Sequence, residues 1–349
     1  MTVKVMVVDD SAFMRKIISD ILREKKDIEV PWTAKNGKDA LEKLTSIVPD
    51  VITLDIEMPV MDGISTLTEI VKNYNIPVIM LSSLTVDGAE ATIKALELGA
   101  IDFITKPTNI FSLNSDEEKK NLIEKVIVAS QIKKTTNSYI PVIKPNKVIK
   151  PFIPSKGRDL DYIISIGTST GGPKALQTII PQLPSNINGS VLVVQHMPEG
   201  FTKSLATRLD SLSNIRVKEA EDGEKIMKGY CYIAPGSHHM TVHQEKDNIF
   251  LKLNQGKTVS GHRPSVDVMM DSVATINTLK KIGIILTGMG SDGANGLKKI
   301  FDAGGHTLTQ DEESSVVYGM PKAAVNNGCV KKILPLDEIS NEIINILGV

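Results

Sequence analysis

The sequence predicts an α/β protein of two doubly wound domains, each built on a parallel sheet, and three observations carry that expectation. The 349 residues are enough for about two domains of ~150 residues each. In both halves, short apolar runs rich in β-branched residues alternate with stretches of helical periodicity, the order left by parallel strands and crossover helices. Between them, from about Ile127 to Arg158, the pattern breaks. Pro141, Pro145, Pro151 and Pro154 interrupt this stretch, Lys133, Lys134, Lys144, Lys147, Lys150, Lys156 and Arg158 charge it, and it holds no acidic residue. Such a segment resists helix and sheet and reads as an extended basic tether. The expected division is therefore 1–127, a linker at 128–158, and 159–349.

Composition removes several classes of function. Hydrophobic residues at 41%, charged residues at 23% and a net charge of −1 give no electrostatic attraction for nucleic acid. Cys231 and Cys329 are the two cysteines, and they read as buried free thiols rather than a disulfide or metal site, in keeping with a reducing cytoplasm. Asp9 and Asp10 interrupt any N-terminal signal core, and no apolar run approaches the ~20 residues of a membrane span. Neither membrane insertion nor export is expected.

In the first domain, Val3 to Val8, Val51 to Leu54, Ile76 to Leu81 and Ile101 to Thr105 read as strands, with Ala12 to Leu22 and Lys38 to Leu44 among the helices. Functional groups of a doubly wound sheet gather beyond the carboxyl ends of its strands. Asp9 and Asp10 follow the first run there, Asp55 the second, Ser82 and Ser83 the third, and Lys106 the fourth. Taken singly, each aspartate is equally a turn-former or helix cap. Together, three converging carboxylates repel one another unless a hard cation such as Mg2+ lies between them. With Phe103, this order of residues resembles the two-component receiver domain, a flavodoxin-like fold. The resemblance implies that Asp55 accepts a phosphoryl group, that Asp9, Asp10 and Asp55 hold Mg2+, that Ser82 and Lys106 contact phosphoryl oxygens, and that Phe103 is an aromatic switch.

The second domain opens on the run Ile163 to Ile166, leading into Gly167-Thr168-Ser169-Thr170-Gly171-Gly172-Pro173. Pro173 suits a helix start, and Ala175, Leu176, Ile179, Ile180 and Leu183 recur on one helical face. Gly167, Ser169 and Gly171 match the G-x-S-x-G nucleophile elbow, in which a strained turn lifts a serine clear. The alternative is a glycine turn that binds an anion or joins two elements. Val191 to Gln195 then runs into His196, and Ile282 to Thr287 runs into Gly288-Met289-Gly290-Ser291-Asp292-Gly293.

If those three strands are neighbours, a nucleophile, its base and an orienting carboxylate emerge at one sheet edge. Serine needs a base at neutral pH, and histidine, with an ordinary pKa of about 6.5, can take and return the proton. Asp292 would fix the imidazole tautomer, and backbone amides at Thr170, Gly171, Met289 and Gly290 are candidate oxyanion donors. Against this stand a satisfied core histidine and an aspartate in a glycine turn. A rival reading takes Gly288, Gly290 and Gly293 as a dinucleotide fingerprint with Asp311 about twenty residues on; its late position and the charge of Asp292 weigh against it.

The blocks Gly167 to Pro173, Gln195-His196-Met197-Pro198, Tyr232-Ile233-Ala234-Pro235-Gly236, Arg263-Pro264-Ser265-Val266-Asp267 and Leu286 to Gly293 resemble the signatures of the bacterial chemotaxis protein-glutamate methylesterase family. With the receiver in front, the resemblance covers the chain apart from the linker. It implies a Rossmann-like serine esterase domain with Ser169, His196 and Asp292 as a triad. The implied substrates are methylated chemoreceptors, whose glutamyl methyl esters are cleaved and some of whose glutamines are deamidated. The implied phosphodonor is a chemotaxis sensor histidine kinase. Thr168 stands where alanine is common in that family. The Ser, His, Asp order also departs from that of α/β-hydrolases. His238, His239 and His243 lack accompanying ligands for a metal site, and Arg263 either meets substrate or pairs with Asp267. The non-enzymatic alternative is a receiver-controlled binding module.

Overall fold

The computed structural model describes residues 2–106, 116–132 and 160–349. Nearly all of the expected linker thus lies outside the described residues. The chain separates into two compact units, Met1–Lys144 and Pro145–Val349.

The first unit runs β1 (Val3–Val8), α1 (Ala12–Arg23), β2 (Ile28–Ala34), α2 (Gly37–Leu44), β3 (Val51–Asp55), α3 (Gly63–Asn73), β4 (Val78–Ser82), α4 (Val86–Leu98), β5 (Asp102–Thr105) and α5 (Asp116–Ser130). Its parallel sheet has the order β2-β1-β3-β4-β5. Strands β3 and β4 are buried throughout, because helices cover both faces, and this is why they read as unbroken apolar runs. Polar caps start the helices: the side chains of Ser11, Asn36, Asp62 and Thr85 accept amides of the first turns of α1, α2, α3 and α4. Strands β3 and β4 extend one residue past their apolar runs, so Asp55 and Ser82 are their last residues.

The second unit runs β6 (Tyr162–Thr168), α6 (Gly172–Ile179), β7 (Gly189–Gln195), α7 (Phe201–Leu212), β8 (Arg216–Glu219), β9 (Tyr230–Ile233), β10 (His239–Glu245), β11 (Asn248–Asn254), α8 (Val266–Ala274), β12 (Lys280–Ile285), α9 (Ala294–Asp302), β13 (His306–Gln310), α10 (Met320–Asn326), β14 (Lys332–Leu334) and α11 (Leu336–Leu347). Seven strands form a parallel sheet ordered β14-β13-β12-β6-β7-β9-β8, and β10 and β11 form a separate antiparallel hairpin. The chain starts at the centre with β6, builds outward through β7 to β8, and returns to lay β12 against the other side of β6. Ile163, Ile164, Ile166, Leu192, Val193, Ile284 and Ile285 are fully buried, each contributing about 1.5–3 kcal/mol of transfer free energy.

The last strand of the trio ends earlier than its apolar run. β12 stops at Ile285, yet Leu286 still donates to the Gly167 carbonyl at 2.9 Å and the Thr287 carbonyl accepts the Ser169 amide at 3.1 Å. The pairing continues as loop, which carries the sheet edge out to Ser169.

Candidate active site

In the first unit, oxygens of Asp9, Asp10 and Asp55 lie within 4.8 Å of one another. This all-carboxylate donor set fits a hard divalent cation. Lys106 Nζ reaches Asp9 Oδ2 at 2.9 Å and Asp55 Oδ2 at 2.6 Å. Burial pushes the Asp55 carboxyl up to about 6, against the pull of Lys106, and the Asp9 charge adds to the rise. Phe103 is buried at the base of this edge, with Lys125 Nζ 5.4 Å from its ring centroid. The Ser82 hydroxyl does not face the carboxylates through a bond of its own: it donates to the Gly88 carbonyl at 3.1 Å and accepts from Thr92 at 2.7 Å. In this conformation a contact from Ser82 to a phosphoryl oxygen would require that hydroxyl to turn.

In the second unit, register places the expected residues side by side. Thr168 pairs with Gln195 across β6 and β7, and Gly167 with Ile285 across β6 and β12. Ser169 and His196 are therefore the next residues on adjacent strands. Gln195 binds the two together, its Nε2 donating to the carbonyls of Ser169 at 3.0 Å and His196 at 3.2 Å. Thr168, the departure from alanine, donates its hydroxyl to the Thr287 carbonyl at 2.9 Å and so ties β6 to the exit of β12.

The turn is not a strained elbow. The left-handed residue is Gly171, with φ 78°, which caps α6; Ser169 is not among the residues with positive φ. A side chain at Gly171 would also press on Val316. Strain is thus moved two residues beyond the serine, onto a residue without a Cβ. Gly288 is required by close approach instead, since a Cβ there would stand 2.9 Å from Ser169 Cβ. Its carbonyl accepts the amides of Gly319 and Met320 at 3.1 and 2.8 Å, which fixes the Met289–Gly290 loop beside Ser169. Among the described residues, the Met289 and Gly290 amides meet no acceptor.

His196 Nε2 and Asp292 Oδ2 are 2.8 Å apart. Because the carboxylate accepts there, neutral His196 carries its proton on Nε2 and leaves Nδ1 with a lone pair. Nδ1 is buried and meets no hydrogen-bonding partner among the described residues. Asp292 is 1% exposed. Its oxygens also accept the Ser265 hydroxyl at 2.8 Å and the amides of Val266 and Asp267 at 2.7 and 3.1 Å. Burial alone would raise its pKa, but His196 and these amides at the start of α8 outweigh it and hold the carboxyl below its ordinary range.

Arg263 does not pair with Asp267. Its Nη1 donates to the carbonyls of Gln255 and Gly256 at 3.1 and 2.9 Å, while Asp267 accepts the Gly296 amide at 2.7 Å. His239 bridges the Lys257 carbonyl and the Ser265 amide, and His243 faces Glu245. Ser265 and Gln195 lie in the motif blocks but carried no expected role there, and His262 lies outside those blocks. Ser265 has a legible signal, a serine just ahead of a helical run with an acid in its first turn; the other two depend on contacts across the fold.

A doubly wound unit with clustered aspartates and a paired lysine, followed by a parallel-sheet unit that gathers serine, histidine and aspartate at one edge, defines a response regulator with an enzymatic output domain. The family model for CheB methylesterase matches residues 164–343, and that for the response regulator receiver domain matches residues 5–115. The chain belongs to the CheB methylesterase family. It is similar to the protein-glutamate methylesterase/protein-glutamine glutaminase of Geobacillus kaustophilus, 47% identical with 99% of each chain covered. The protein of the same description from Bacillus subtilis is 48% identical, over 98% of this chain and 97% of that one. Among solved structures, the Thermotoga maritima CheB methylesterase catalytic domain is 45% identical with a TM-score of 0.52, covering 53% of this chain and 98% of that one. No helix among the described residues is long and apolar enough to cross a membrane.

Proposed function

We propose that this protein hydrolyses glutamyl methyl esters, and deamidates particular glutamines, on the cytoplasmic helices of chemoreceptors. Its relatives' activity supports the substrate class. The observation that carries the chemistry is the bare, buried Nδ1 of His196, whose other nitrogen is held by Asp292, at the same sheet edge as Ser169.

In this reading the Ser169 hydroxyl attacks the ester carbonyl while His196 Nδ1 takes its proton. The resulting imidazolium is stabilised by Asp292, which stays ionised. Negative charge on the carbonyl oxygen is met by amides of the glycine turns, with Met289 and Gly290 as the first candidates and Thr170 and Gly171 as the second. Collapse of the tetrahedral adduct breaks the C–O bond, and His196 returns the proton to the departing methanol. Water then repeats the sequence and frees the glutamyl carboxylate. From glutamine, the departing group is ammonia. The second-stage product is the same acid.

The first unit serves as the control element. Asp55 would be the phosphoryl acceptor, with a chemotaxis sensor histidine kinase as donor. Asp9, Asp10 and Asp55 would hold Mg2+, which when bound neutralises charge on the phosphoryl oxygens. Lys106 supplies a fixed cation to the same oxygens, and Ser82 and Phe103 would report the phosphorylated state. Ser169→Ala tests the central claim. Methanol release from methylated receptor should disappear while thermal unfolding stays near that of wild type; turnover within about tenfold of wild type would remove Ser169 from its role and favour a binding module.

A further inference from the structure

A second imidazole lies flat against the first. The rings of His262 and His196 have centroids 3.8 Å apart and planes 15° apart. His262 belongs to the connection between β11 and α8, and that connection is built to hold it. Val259 and His262 exchange both backbone hydrogen bonds, at 3.1 and 2.9 Å, around a two-residue turn in which Ser260 and Gly261 have φ of 52° and 81°. Positive φ at both central residues is the tight hairpin closure that matches strand twist. Arg263, next in the chain, ties the turn back to the carbonyls of Gln255 and Gly256. Ser265, two residues further, gives its hydroxyl to Asp292. One short segment therefore supplies both the ring against His196 and a donor to its carboxylate.

We propose that His262 is a positioning residue that fixes the plane of the His196 imidazole while Asp292 holds Nε2, so that the bare Nδ1 keeps one orientation at the sheet edge it shares with Ser169. A single hydrogen bond from Nε2 to Asp292 locates one edge of the ring but leaves it free to rock about that bond. A flat partner at 3.8 Å removes this freedom, because tilting either ring forces their faces into contact. The His196 side chain is 6% exposed and its Nδ1 is buried, so water has little access to compete for the Nδ1 lone pair. Displacements of about 1 Å at a reacting group cost up to ~100-fold in rate, which sets the scale of the effect.

The inference rests on the triad reading, and the test separates the two. In the full-length protein, His262→Ala should lower kcat for methyl-ester hydrolysis by about tenfold or more with KM within about threefold, and His262→Phe, which keeps a flat ring, should restore kcat to within about threefold of wild type. The His196 ring protons, followed by NMR in selectively labelled protein, should lose a ring-current shift in the alanine variant and keep one in the phenylalanine variant. Wild-type kcat in His262→Ala overturns the proposal, as does a phenylalanine variant no better than alanine. Should Ser169→Ala prove active, the triad reading fails, and the NMR shifts still decide whether His262 holds the ring; unchanged shifts in His262→Ala would dispose of the contact itself.

Discussion

Asp292 and Asp267 each cap the other's helix. Asp292, in the loop that leads into α9, accepts the Val266 and Asp267 amides that begin α8, while Asp267, in α8, accepts the Gly296 amide in the first turn of α9. Two buried carboxylates thus sit at two positive helix ends. Their ionisation differs in direction. Asp292 is held below its ordinary value, since His196 and the amides overcome burial, whereas burial, joined by the Asp292 charge, leaves Asp267 raised despite the Gly296 amide.

The pair therefore responds oppositely to loss of charge. Asp292 adds stability above the ordinary value of 3.8 that is lost as pH falls through its lower folded value; Asp267, being raised, favours the fold most below 3.8 and loses that contribution as pH rises through its folded value. At pH 7, Asp267→Asn should match or exceed wild-type Tm, because the amide oxygen still accepts from Gly296. Asp292→Asn should lower Tm and cut turnover by orders of magnitude, since it removes the charge opposite His196 and favours the wrong tautomer. Thermal melts and methanol release of the two variants provide the check, and near-normal turnover in Asp292→Asn would reduce Asp292 to a helix cap.

Asp55→Ala should abolish labelling by a small phosphodonor in Mg2+ and erase the donor's effect on ester hydrolysis. Phosphate retained on the variant would place the acceptor on another residue.

Asp55 also predicts a pH dependence for the first unit. Its carboxyl rises from 3.8 to about 6 chiefly through burial, so its contribution is complete below 3.8 and is lost as pH climbs toward 6. In a chelator, Asp55→Asn should be more stable than wild type above pH 6, by about 3 kcal/mol at 1.36 kcal/mol per unit. The advantage should shrink toward pH 4 and also on adding Mg2+, which binds and stabilises the wild type. A constant difference across pH would contradict the burial argument.

A fragment from about Asp159 to Val349 should fold and hydrolyse receptor methyl esters faster than the unphosphorylated full-length protein. Phosphorylation of one unit can alter output from the other only if the two states differ in how they restrain it. A slower fragment would make the first unit an activator.

Much of this arrangement was legible because parallel strands write themselves as apolar runs. Val3–Val8 matched its strand to the residue, and Ser169, His196 and Asp292 each announce themselves by following such a run. The neighbouring order β12-β6-β7 then did the assembling that sequence could only state as a condition. What escaped was set by contacts between distant segments. The pattern Gly167-x-Ser169-x-Gly171 promised strain at the serine, but the need for a left-handed residue fell on Gly171. Arg263 was offered Asp267 as a partner, and the folded loop gave it backbone carbonyls instead. His262 carried no local signal, since a stacked ring is defined by a residue on another element.

The central start of the second unit has a consequence for synthesis. Ser169 and His196 lie on β6, β7 and their exits, whereas Asp292 follows β12, more than ninety residues later, because His196 and Asp292 are 96 positions apart. If Ser169, His196 and Asp292 act as proposed, a ribosome releases the nucleophile and its base well before the carboxylate that orients the base. A nascent or truncated chain therefore carries the proposed nucleophile and base without the carboxylate that would orient them. On the proposed triad, full turnover awaits the late-made half, whose strand β12 must pair with β6 before Asp292 can reach His196.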